Sequence, residues 1–89
     1  EEMIKAAVKL GLKKETAEKL VLQTAKGAGF LAIETAKNNQ SPDVLRKNVT
    51  SPGGTTEAAM KIFSKYDFEK IVNDAISAAA ARSKELSGK

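Results

Sequence analysis

Residues Lys14 to Lys37 carry a helical pattern whose apolar side is too wide for so short a chain to cover. Placed at 100° per residue, the stretch gathers Gln23, Lys26, Glu34 and Lys37 into one polar wedge. About two-thirds of the circumference is left to small or apolar residues, among them Ala17, Leu20, Val21, Leu22, Thr24, Leu31 and Ile33. A surface helix carries a narrower stripe, and one that is apolar nearly all round belongs inside a core. The chain has 89 residues, close to the lower limit at which a domain closes a core alone. Its other segments are too short to wrap this helix, whereas a second copy of the chain could. Phe30 falls in the middle of the polar wedge, where a monomer would leave it wet. The pattern predicts an interlocked dimer with one long buried central helix.

The remaining segments also read as helices. Glu2 to Leu10 sets Met3, Ala6, Ala7 and Leu10 on one stripe and stops at Gly11, a residue suited to a helix end. Asn38-Asn39-Gln40 ends the long helix, and Ser41-Pro42 supplies an N-cap serine and a first-turn proline for a short one through Asn48. After the break at Thr50 to Gly54, Thr55 to Lys65 forms a fourth helix with Ala59, Ile62 and Phe63 inward. Asp67 caps a fifth, Phe68 to Leu86, with Phe68, Val72, Ala75, Ile76, Ala79 and Leu86 on one face. No segment alternates as a half-buried strand does. The expected class is all-α, about five helices in a single domain spanning residues 1–89.

Several chemistries are disfavoured. There are no cysteines or histidines, which removes disulfides and the usual zinc sites. No apolar run reaches the ~18–20 residues of a membrane span. The net charge is +4, but the basic residues are dispersed, with Lys13-Lys14 and Arg46-Lys47 the adjacent pairs. Phe30, Phe63, Phe68 and Tyr66 are the aromatics, and the basic residues do not gather on one face with them as a nucleic-acid surface would require. Neither nucleic acid nor membrane is expected as a partner. The opening Glu1-Glu2-Met3 lacks an initiator methionine and a signal pattern, so the chain reads as part of a longer protein.

Gly27-Ala28-Gly29-Phe30-Leu31-Ala32 matches the glycine fingerprint of dinucleotide-binding folds. That fingerprint works at a turn between strand and helix, where backbone amides meet a pyrophosphate. Here the glycines lie inside a helical pattern with no strand before them. Close approach of another helix is the better reading. Asn48-Val49-Thr50 is a glycosylation sequon and reads as coincidence.

Thr50-Ser51-Pro52-Gly53-Gly54-Thr55-Thr56-Glu57 is the informative stretch. Two glycines let the backbone turn sharply and leave room for a ligand. The helix that follows offers unpaired amides and a positive dipole end, which suit a carboxylate or phosphate. Ser51, Thr55 and Thr56 add hydroxyl donors. The lysine of a phosphate-binding loop is absent, which disfavours a nucleoside triphosphate. On local chemistry alone, an anion site and a plain turn with a threonine N-cap stand level.

Val49-Thr50-Ser51-Pro52-Gly53-Gly54-Thr55-Thr56-Glu57-Ala58-Ala59 resembles the signature of pyrroline-5-carboxylate reductases, in which an SPGG segment opens a helix of the C-terminal domain. Gly11-Leu12, Gln23-Thr24 with Gly27-Ala28, Ser41-Pro42 with Leu45-Arg46, and Arg82 to Leu86 resemble that domain in order and spacing. The resemblance covers essentially the whole chain. It implies a cytoplasmic enzyme of proline biosynthesis that reduces 1-pyrroline-5-carboxylate to L-proline with NADPH or NADH. The cofactor would sit in an N-terminal Rossmann domain absent from this chain, so the chain alone would bind no cofactor and would not turn over. The helical domain would form a homodimer or a higher oligomer. Carried over by position, Gly54, Thr55 and Thr56 would present amides to the small carboxylate substrate, with Ser51 close by. The Thr56 hydroxyl would face the ring nitrogen as the catalytic group. The rival reading is a non-catalytic helical scaffold derived from such a reductase.

Overall fold

The structure is a computed structural model that describes residues 1–88. Among the described residues the regular elements are helices: α1 (Glu2–Lys9), α2 (Lys14–Ala36), α3 (Pro42–Val49), α4 (Thr55–Lys65) and α5 (Phe68–Ser87). The all-α expectation holds, with bounds shifted by a residue or so. Two compact units divide the chain, Glu1–Arg46 and Lys47–Lys89, with the boundary inside α3.

In the first unit α1 packs against α2. The turn between them is closed by two hydrogen bonds, Gly11 N–H to Val8 O (2.9 Å) and Leu12 N–H to Ala7 O (3.1 Å). That pairing is the Schellman arrangement, which needs a left-handed residue just past the helix. Gly11 supplies it at φ +112. α2 ends the same way without glycine: Asn39 takes φ 60, and Gln40 N–H reaches Thr35 O while Asn39 N–H reaches Ala36 O. Asparagine tolerates that region better than most side chains. The expected α1 stripe is displaced. Ile4 and Ala7 are the half-buried residues, Met3 and Ala6 are exposed, and Leu10 is past the last helical turn.

α2 is not buried by its own chain. Ala17 is the one fully buried residue among those described, while Leu20, Leu22, Leu31 and Ile33 are all exposed. Phe30 is 65% exposed, as its place in the polar wedge implied. Thr24 and Thr35 fold their hydroxyls back onto the carbonyls of Leu20 (2.7 Å) and Leu31 (2.8 Å). Each hydroxyl is thereby satisfied within the helix. The threonines thus leave little polar character on a face already dominated by alanine and leucine. A Cβ added at Gly27 or Gly29 would meet nothing within 4 Å. Within the first unit, no described residue makes the close approach expected at those glycines.

In the second unit α4 and α5 meet across a tight reversal. Asp67 stands at the N-cap position of α5, but with φ 54, ψ 49 and no side-chain cap bond. The expectation that its carboxylate caps α5 is therefore corrected. Asp67 also ends α4, donating its N–H to Ser64 O (3.2 Å) in the left-handed conformation. One residue cannot take that conformation and the extended one a side-chain cap uses. The rings of Phe63 and Phe68, 4.8 Å apart, close over the reversal, the apolar contact that often accompanies such a helix end. Beyond that contact, the residues expected inward on α4 and α5 stay exposed, Ile62 and Ile76 among them.

Candidate functional site

The SPGG segment folds as its residue types dictate. Gly54 N–H donates to Ser51 O (3.0 Å), closing a four-residue turn with Pro52 second and Gly53, at φ +73, third. Proline with fixed φ followed by a left-handed glycine is the type II pattern. Gly54 then adopts the extended conformation of an N-cap (φ −85, ψ 178), and Ala58 N–H donates to its carbonyl at 3.2 Å to start α4. Thr55 is the first helical residue, so the threonine cap of the plain-turn reading is replaced by a glycine without a side chain.

No side chain caps α4. The amides of Thr55 and Thr56 therefore lie at the helix start with no acceptor among the described residues, where the dipole favours an anion. Ser51, Gly54, Thr55 and Thr56 are brought together within this one turn and helix start. Thr56 and Gly54 are half-buried, and Ser51 and Thr55 are exposed. One role expected of Gly54 is altered, because its amide is already committed to Ser51. Of the amides expected to hold a ligand, those of Thr55 and Thr56 remain free.

Gly54 is required by its neighbour. A Cβ there would stand 2.6 Å from Ser51 Oγ and 3.1 Å from Ser51 O. The hydroxyl can rotate away, but the carbonyl belongs to the turn itself. Gly54→Ala is accordingly expected to destabilise the chain by ~1–3 kcal/mol through overpacking. The check is a lowered midpoint in chemical denaturation; an unchanged midpoint would show that Ser51 yields without cost.

Glu57 was not singled out by sequence reasoning as a site residue. Its carboxylate accepts from Gly53 N–H at 3.2 Å and lies 3.6 Å from Lys61 Nζ. The signal was present: a glutamate at the third helical position commonly reaches back to an amide at the helix start. Among the described residues there is no cluster of three potential metal ligands, and no helix is long and apolar enough to cross a membrane.

Residues 1–86 match the family model described as pyrroline-5-carboxylate reductase dimerisation. The chain is 50% identical over 84 residues to pyrroline-5-carboxylate reductase of Pseudomonas aeruginosa, covering 94% of this chain and 30% of that protein. It is 45% identical over 86 residues to pyrroline-5-carboxylate reductase 2 of Bacillus subtilis, again covering 30% of the relative. A crystal structure of Plasmodium falciparum pyrroline carboxylate reductase with NADP bound superposes with a TM-score of 0.80 at 38% identity. It is matched over 93% of this chain and 30% of that one. The chain thus spans about 30% of the length of these relatives. The residues present do not fit a dinucleotide: Gly27 and Gly29 lie within α2, where backbone amides serve the helix and no strand leads in. With its helices, its SPGG turn and the match across residues 1–86 in agreement, the chain belongs to the pyrroline-5-carboxylate reductase dimerisation family.

Proposed function

We propose that the chain is the dimerisation and substrate-holding domain of a reductase that converts 1-pyrroline-5-carboxylate to L-proline with NADPH or NADH. The observation that carries the substrate half is the pair of unused amides at Thr55 and Thr56, fixed in place by a closed turn. Donors that are oriented before a ligand arrives stabilise an anion at little reorganisation cost. The substrate carboxylate is held by these amides, with the Ser51 hydroxyl beside it. The Thr56 hydroxyl faces the ring nitrogen and donates to it as the neighbouring carbon is reduced. The hydride donor is held by parts of the longer enzyme that this chain does not include.

The dimer half rests on exposure. Leu20, Leu22, Leu31 and Ile33 on α2 and Ile71 and Ile76 on α5 are uncovered in a single chain. Exposed apolar surface on that scale marks an association surface, and the family's own description is dimerisation. A homodimer covers it. A cytoplasmic setting belongs to the same proposal, since a cysteine-free chain is at home in a reducing compartment.

The test is a transplant. Replacing the matching segment of the Pseudomonas aeruginosa reductase with this chain should retain nicotinamide-dependent formation of proline. A folded, dimeric hybrid that makes no proline would overturn the catalytic reading in favour of a scaffold.

A further inference from the structure

We propose that Glu57 is a positioning residue for the substrate carboxylate, acting through the amide of Gly53; the inference rests on the reading of the Thr55–Thr56 amides given above. The start of α4 offers a run of N–H groups, and the chain itself consumes the first two. Gly53 donates to Glu57 Oε1 at 3.2 Å, and Gly54 donates to Ser51 O at 3.0 Å. The two bonds act on successive residues of the turn, one from within it and one from the helix that follows. Gly53 holds a left-handed conformation at φ +73, and glycine moves between such conformations more readily than any other residue. The bond from Glu57 ties this most adaptable link of the turn to a rigid helix. It thereby sets the entry angle of the chain and the aim of the amides just beyond.

The same contact manages a charge. A carboxylate in the first turn of a helix is attracted to the free amides there, and a substrate carboxylate seeks the same donors. Glu57 would be a competitor if it were loose. Its Oε1 is engaged instead, by Gly53 N–H and by Lys61 Nζ at 3.6 Å. The Glu57 side chain is also half as exposed as that of Lys61, 36% against 75%. Thr55 and Thr56 are left to the ligand.

The experiment uses the hybrid reductase carrying this chain and compares Glu57→Ala, Glu57→Gln and Thr56→Val. Glu57→Ala should raise KM for 1-pyrroline-5-carboxylate about fivefold, as loss of one hydrogen bond of ordinary net strength does, while kcat stays within about twofold. Glu57→Gln keeps an oxygen acceptor at the same reach and should restore KM to near the parent value. A purely structural role would lower thermal stability without that split and without rescue by glutamine. An unchanged KM in Glu57→Ala, or a Glu57→Gln variant as impaired as the alanine one, overturns the positioning role. If Thr56→Val slows turnover while Glu57→Ala changes nothing, the positioning inference falls alone. If Thr56→Val has no effect on turnover, the role of the Thr56 hydroxyl falls, while the amides, which valine retains, and the KM effect expected of Glu57→Ala are untouched.

Discussion

Leu31→Asp is expected to abolish folding at micromolar concentration, even though Leu31 is 52% exposed within its own chain. On a monomer's surface the change would cost little, because most exposed substitutions move stability by less than ~0.5 kcal/mol. In the proposed dimer the same position lies under the second copy. Removing a covered leucine costs about 2–5 kcal/mol, and an uncompensated charge placed there adds a desolvation penalty of several kcal/mol more. Together these approach the ~5–15 kcal/mol that holds a small protein folded. The measurement is helical circular dichroism alongside sedimentation. A helical monomer of Leu31→Asp, as stable as the parent, would remove the argument for a dimer built on α2.

Thr56→Val is expected to slow turnover by about one to two orders of magnitude in a reductase carrying this chain. Valine keeps the shape of threonine and removes the hydroxyl, so the turn and its amides are retained. A hydrogen bond to a group bearing developing charge contributes ~1.5–3 kcal/mol, and each 1.36 kcal/mol of barrier is about tenfold in rate. Because the interaction belongs to the transition state, kcat and kcat/KM should fall together. Normal folding with both constants unchanged would leave Thr56 a helix residue and nothing more.

The fold was largely legible in the sequence because its punctuation is local. Gly11, Asn39 and Gly53 each mark a left-handed backbone position, and each was legible as a break or helix end from residue type alone. Asp67 was misread because two helices compete for it, and a cap rule that considers one helix at a time cannot register that conflict. The inward faces assigned to α4 and α5 fared worst. Helical periodicity says which side of a helix is apolar, not which molecule covers it, and Ile62 and Ile76 stay exposed in the chain. Ser51, Gly54, Thr55 and Thr56 are proposed as site residues through their signature. The spending of the Gly54 amide within the turn was not legible there, since a hydrogen-bond partner three residues back is a matter of geometry. Glu57 could have been found from its place in the first turn of α4 and was passed over.

If the proposed dimer is obligate, a chain in which Ala17 is the one fully buried residue among those described has no folded waiting state between synthesis and assembly. Its maturation is then an encounter between two molecules, and the time spent exposed to proteases lengthens as copies become scarce. Doubling expression should raise the surviving protein more than twofold at low levels and only in proportion at high levels. Abundance of the chain would be set as much by how often newborn copies meet as by how fast they are made.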